Sequence, residues 1–364
     1  MKILSIFGTR PEAIKLAPVL TELNKHNLTS IVCVTAQHRE MLDQVLALFA
    51  IRPDYDLAIM QPNQSLAELT ARTLTKLDEV LRIEKPDWVL VQGDTTTAMV
   101  GALAAFYHQI KVGHVEAGLR SFDKYQPFPE EINRKIVSSV SDLHFAPTEV
   151  SQQNLLREDV PDANIVVTGN TVIDALLQVA EKPYEWDASP LAAIPRDKRI
   201  ILVTAHRREN FGAPLQNICA ALQTIAERFA DVHIVYPVHL NPNVQTVVQA
   251  LLGNSQNVTL LEPLEYLPLV QLMKHSFLVV TDSGGIQEEA PGLGKPVLVL
   301  REVTERPEGV AAGTVKLVGT NKETIVREIE LLLTDKAEYD RMARAVNPYG
   351  DGHASERIVT KLLR

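Results

Sequence analysis

Short apolar runs, each ending in a turn rich in Gly, Thr, Asp or His and leading into a helix-period segment, recur along the whole 364-residue chain. That rhythm restricts the fold to stacked βα units with parallel sheets. In the first half the runs fall at Lys2–Phe7, Ser30–Thr35, Trp88–Gln92, Lys111–Val115 and Leu143–Ala146. In the second they fall at Arg199–Val203, Val232–Pro237, Phe277–Thr281 and Pro296–Leu300. Pro11 takes the place of a helix-opening proline and predicts a helix over Pro11–Asn24. Leu66–Glu84 carries apolar residues every three to four positions until Pro86 stops it.

The two halves also correspond at their strand ends. The first strand of each runs into an arginine-bearing turn, Gly8-Thr9-Arg10-Pro11-Glu12 and Thr204-Ala205-His206-Arg207-Arg208-Glu209-Asn210. The second ends near a histidine, His38 and His239. The third ends in Gly93-Asp94-Thr95-Thr96-Thr97 or in Asp282-Ser283-Gly284-Gly285. We therefore expect two similar doubly wound α/β domains. Open α/β sheets bind ligands beyond the carboxyl ends of their strands, so these turns are expected to face one inter-domain cleft. The first domain is predicted over 1–168 with a C-terminal helix at about 350–364, and the second over 169–349. The proline-bearing, weakly periodic stretch between Glu181 and Pro195 marks the boundary region.

The charge balance narrows the partners. Counting 36 Lys+Arg against 45 Asp+Glu gives -9, without the basic field that non-specific nucleic-acid binding draws on. No stretch approaches the ~20 apolar residues needed to span a bilayer, and the opening segment is too short for a signal-peptide core. The two cysteines, Cys33 and Cys219, form neither a metal-type cluster nor a disulfide framework, and both are expected in the core of a cytoplasmic protein. No HExxH or comparable set of metal ligands is present.

Thr281 to Ala290 joins a strand to a helix through Ser283-Gly284-Gly285. Two glycines allow close backbone approach, and N–H groups at a helix start suit a phosphate, although an ordinary strand-to-helix turn reads the same way. The chain has neither a Walker A loop nor a complete G-x-G-x-x-G, so a phosphate here points to a nucleotide used as a handle or leaving group. Arg10, Lys15, Arg207, Arg208, Arg301 and Arg306 are candidate cations for it, whereas Arg39, Arg120 and Arg134 read as solvated surface residues. Glu289 is a candidate acceptor for ribose hydroxyls. Asp94, Glu116 and the pair Glu130-Glu131 put carboxylates at successive turns of the first half, candidates for an acid and base pair. Helix N-capping is the competing role for Asp94.

In these blocks, running in order from Phe7 to Gly352, the chain resembles the non-hydrolysing UDP-N-acetylglucosamine 2-epimerases of bacteria. Gly113-His114-Val115-Glu116-Ala117-Gly118-Leu119-Arg120 and Thr304-Glu305-Arg306-Pro307-Glu308 belong to the same set. The resemblance implies a GT-B-like fold of two Rossmann-like domains around a cleft and a homodimer needing neither metal nor nicotinamide. It further implies reversible conversion of UDP-GlcNAc into UDP-ManNAc for envelope or capsule polysaccharide, by elimination of UDP to 2-acetamidoglucal and re-addition. Asp94, Glu116 and Glu130 are then expected in proton transfer and His206 at the leaving diphosphate. Arg10, Lys15, His206, Ser283, Gly284, Gly285, Glu289 and Arg306 are expected against substrate. Some relatives carry a second UDP-GlcNAc as an activator, which would match Gln37, Gln64, Arg207 and His239, yet Glu40 and Asn63 depart from that pattern. Gln92 also replaces a His common in the family. A hydrolysing epimerase, a GT-B glycosyltransferase and a non-catalytic sugar-nucleotide sensor are the competing readings.

Overall fold

The computed structural model describes residues 1–36, 39–61 and 64–364. The chain divides into two compact units, Met1–Ala175 with Tyr349–Arg364, and Leu176–Pro348. Among the described residues each unit holds one all-parallel sheet.

In the first unit β1 (Lys2–Phe7), β2 (Thr29–Val34), β3 (Tyr55–Asp56), β4 (Trp88–Gln92), β5 (Lys111–Val115), β6 (Leu143–Ala146) and β7 (Ile165–Val167) lie in the order β3-β2-β1-β4-β5-β6-β7. In the second, β8 (Arg199–Thr204), β9 (Val232–Pro237), β10 (Val258–Leu261), β11 (Leu278–Thr281), β12 (Val297–Val299) and β13 (Val315–Leu317) lie in the order β10-β9-β8-β11-β12-β13. The central strands are buried along their length, as in Trp88–Gln92, because crossover helices cover both faces. Winding reverses between β1 and β4 and again between β8 and β11. Such switch points open a crevice at the carboxyl ends of the strands, which brings the Gly8 turn beside the Gly93 turn and the His206 turn beside the Asp282 turn.

All the runs read from the sequence are strands, displaced by at most one residue at either end. Four edge or near-edge strands escaped that reading: β3, β7, β10 and β13. Hence the Gly93 and Asp282 turns follow the fourth strand of each unit in chain order, not the third. Their brevity and half-exposure explain the miss, since β3 has two residues and β10 has none fully buried. The helix predicted over Pro11–Asn24 spans Arg10–Leu23 and is capped by Thr9 in a reciprocal pair with Glu12.

The chain returns to the first unit at its end. Asp174 accepts from the backbone N–H groups of Ala354 and Ser355, at 3.2 and 2.8 Å, and from the Ser355 hydroxyl at 2.6 Å. It thereby satisfies the first donors of helix Ala354–Leu362, which packs on helix Arg10–Leu23. No helix among the described residues is long and apolar enough to cross a membrane.

Candidate active site

In the first unit, two turns at the β1/β4 switch point are joined by one buried carboxylate. Glu12 Oε2 accepts from the N–H groups of Gly8 and Thr9 at 3.0 and 2.8 Å, and Oε1 accepts from the Thr95 hydroxyl at 2.6 Å. Burial raises the Glu12 pKa, and the hydrogen bonds oppose that rise. Gly8 is required here, because a Cβ at that position would lie 2.0 Å from Thr35 Oγ1. Thr95, not Asp94, caps helix Thr96–Tyr107, accepting from Ala98 N–H at 3.0 Å. The competing role for Asp94 is therefore taken by its neighbour.

Asp94 instead faces a guanidinium. Arg134 Nη2 lies 2.7 Å from Asp94 Oδ2, and its Nη1 lies 3.0 Å from Glu131 Oε2. Glu131 is fully buried and also accepts from the N–H groups of Ser121 and Phe122 at 3.0 and 3.1 Å. Those bonds commit Glu131 to holding the loop. Its neighbour Glu130, the first residue of helix Glu130–Val140, keeps a buried Oε2 without a hydrogen-bond partner. After β5, Glu116 adopts φ +64° and pairs with the Lys15 ammonium, and Gln92 Nε2 donates to Glu116 Oε2 at 2.9 Å. His114 Nε2 lies 2.8 Å from the Gly93 carbonyl, and burial pushes the His114 pKa down to about 3, so the ring is neutral and donates that bond.

In the second unit the weld comes from the opposite side of the switch point. Asp282, fully buried, accepts on Oδ2 from His206 N–H and Arg207 N–H, both at 2.8 Å, and from Asn210 Nδ2 at 3.0 Å. The His206 ring stacks on His239, with centroids 5.1 Å apart and planes 4° from parallel. Burial holds His206 below the ordinary imidazole range, with Asp282 opposing and His239 and Arg207 reinforcing the shift. Ser283 makes no side-chain cap, so the first N–H donors of helix Gly284–Gly292 are not used by it. Arg207 Nη2 comes within 3.7 Å of where a Gly284 Cβ would stand, and Glu289 Oε1 within 3.9 Å of that position at Gly285. Around this helix start Arg306 pairs with Glu288, and Arg301 with Glu209 at 2.7 Å.

The expected residues thus gather unit by unit. Lys15 meets Glu116, while His206 and Arg207 share Asp282. Arg207 and His239, expected around a second nucleotide, lie against Gly284 and His206. Gln64 binds elsewhere, to Arg72 Nη1 and Met60 Sδ, each at 2.8 Å. Gln37 and Asn63 lie outside the described residues. Two arginines expected on the solvated surface are not there. Arg134 holds Asp94, and the fully buried Arg120 side chain binds Glu158 at 2.6 Å, because each has a carboxylate from a distant segment packed against it. Glu12 and Asp282 went unrecognised as well. The signal for Glu12 was its capping-box spacing from Thr9, and for Asp282 only its position directly after a strand.

Two doubly wound parallel-sheet units define a GT-B-like α/β enzyme, one with carboxylates at its switch point and the other with a Gly-Gly helix start flanked by arginines. The family model for UDP-N-acetylglucosamine 2-epimerase matches residues 21–363. The UDP-N-acetylglucosamine 2-epimerase of Escherichia coli (strain K12) is 59% identical over 369 residues, covering 100% of this chain and 98% of the relative. The crystal structure of UDP-GlcNAc 2-epimerase from Neisseria meningitidis bound to UDP-GlcNAc matches with a TM-score of 0.88 and 54% identity, covering all of both chains. The S. aureus MnaA–UDP structure matches at 0.86 and 52%, covering 99% of this chain and 95% of the other. The chain belongs to the UDP-N-acetylglucosamine 2-epimerase family.

Proposed function

We propose that this enzyme interconverts UDP-GlcNAc and UDP-ManNAc without net hydrolysis, feeding the synthesis of envelope or capsule polysaccharide. A C2 proton with no adjacent carbonyl is scarcely acidic. If the anomeric C–O bond breaks first or in concert, its electron pair leaves on UDP and positive charge at C1 acidifies C2–H. A base takes that proton and 2-acetamidoglucal forms. Protonation at C2 from the opposite face, with UDP returning to C1, gives the epimer.

What supports this reading is that the first unit gathers the expected carboxylates after its strand ends, while the second has a Gly-Gly helix start with arginines nearby. Asp94, Glu116 and Glu130 follow β4, β5 and the segment after β5 in the first unit, and supply the proton carriers. His206, Ser283, Gly284, Gly285, Glu289 and Arg306, with Arg10 and Lys15, are assigned to the nucleotide sugar. A helix start with N–H donors and nearby guanidinium groups stabilises the departing diphosphate. The Neisseria relative, which binds UDP-GlcNAc, and the S. aureus relative, which binds UDP, support the ligand class.

Incubation with UDP-GlcNAc in D₂O, followed by NMR, tests it. Deuterium at C2 of UDP-ManNAc is expected. Free ManNAc with UDP would indicate a hydrolase, and the absence of exchange a transferase or sensor. We further infer a cytoplasmic homodimer, for which two buried, unpaired cysteines fit a reducing compartment. Activation by a second UDP-GlcNAc, with Arg207 and His239 as the candidate contacts, predicts a lag when the reaction starts from pure UDP-ManNAc.

A further inference from the structure

We infer that Asp282 is the positioning residue for His206, holding its imidazole as the Nδ1–H tautomer so that Nε2 is the ring atom presented to the diphosphate. The inference rests on the reading of His206 as a diphosphate-contacting group.

The two oxygens of Asp282 do different things. Oδ2 is filled by the His206 and Arg207 N–H groups and by Asn210 Nδ2. These bonds pin the turn and leave the carboxylate no freedom to swing away. Oδ1 is buried, has no hydrogen-bond partner, and lies 3.6 Å from His206 Nδ1. A buried carboxylate oxygen left without a donor is costly, so the nitrogen facing it is favoured as N–H. At 3.6 Å the contact is longer than a hydrogen bond. The His206 side chain is 39% exposed, however, and a small ring rotation closes the gap, as catalytic contacts tighten when ligand arrives.

The stacked partner is set the other way. Asn241 N–H donates to His239 Nδ1 at 3.0 Å, so the neutral His239 carries its proton on Nε2. The two parallel rings therefore hold opposite tautomers, each dictated by the group on Nδ1. His239 offers a hydrogen-bond donor from Nε2. The neutral His206 offers only a lone pair there; once Nε2 takes a proton the imidazolium donates to, or protonates, a departing phosphate oxygen, with Asp282 facing its other nitrogen.

Histidine-selective ¹⁵N labelling of the full chain, with and without UDP, tests this directly, the His206 signals being identified by their loss in His206→Gln. Wild-type His206 should show a protonated Nδ1 and a pyridine-type Nε2; a protonated Nε2 with bare Nδ1 would overturn the inference. Asp282→Asn keeps a carbonyl for the two backbone donors but turns an amide N–H₂ toward His206 Nδ1. The tautomer should reverse and kcat should fall ~100-fold or more, the scale of lost acid–base function, with UDP affinity within about 3-fold. An unchanged tautomer with unchanged kcat refutes the role of Asp282. Should Asp282→Asn fail to fold, the wild-type spectrum alone decides. A chain that folds and shows the Nδ1–H tautomer yet turns over no UDP-GlcNAc refutes the proposed function and leaves this inference standing.

Discussion

Gln92 Nε2 donates a 2.9 Å hydrogen bond to Glu116 Oε2, on the same carboxylate that takes the Lys15 ammonium. A neutral amide from the end of β4 and a cation from the first helix thus orient one carboxylate at the end of β5. Hydrogen bonds to charged groups contribute about 1.5–3 kcal/mol. Gln92→Leu should therefore lower kcat by ~10-fold or more with UDP affinity unchanged, as steady-state kinetics and UDP titration would show. Unaltered kcat would mean that Lys15 alone places Glu116.

Asp94→Asn, Glu116→Gln and Glu130→Gln keep shape and remove charge. Each is expected to lower turnover by ~100-fold or more, whereas Glu131→Gln, at a carboxylate committed to Ser121, Phe122 and Arg134, should act chiefly on stability. Near-normal turnover in the first three would remove these carboxylates from proton transfer. Solvent-deuterium exchange at C2 in each variant separates the proton-transfer step from binding.

Glu12 answers three donors that cannot all find others when it is removed. Glu12→Ala should destabilise the chain by about 3 kcal/mol or more, from several orphaned buried groups at ~1–3 kcal/mol each. Glu12→Gln should cost far less. Its carbonyl can serve Gly8 and Thr9, and the Thr95 hydroxyl can rotate to accept from the amide. Urea denaturation midpoints of the two variants check the order.

Two buried histidines make stability depend on pH. Burial pushes His114 down to about 3 and His144 to about 4, both from 6.5. Between those values the unfolded chain binds more protons, so their contribution is fully present above 6.5 and is lost as pH falls toward 4 and then 3. Glu12 and Asp174, raised by burial, act in the opposite sense. The double variant His114→Gln/His144→Gln should flatten the fall in urea midpoint below pH 6.5. A wild-type slope in that variant would assign the acid lability to other groups.

The order of apolar runs and polar turns determined the parallel α/β class and the central strands, and it placed the chemically distinctive residues at strand ends. Local pattern is enough for that, because a strand buried on both faces must be a continuous apolar run. The two-residue β3 and the half-exposed β10 carried no such signal. The residue pattern presented Glu130 and Glu131 as a pair, from which only the family resemblance chose Glu130, treated Arg134 and Arg120 as surface residues, and gave no reason to single out Asp282. Tertiary structure separated them. Glu131 is consumed by loop N–H groups while Glu130 keeps a bare oxygen, Arg134 meets Asp94 across forty residues, and Asp282 meets His206 across seventy-six. Which carboxylate is free and which guanidinium is buried depends on partners brought together by the sheet's winding, and that is a property of the folded chain rather than of any window along it.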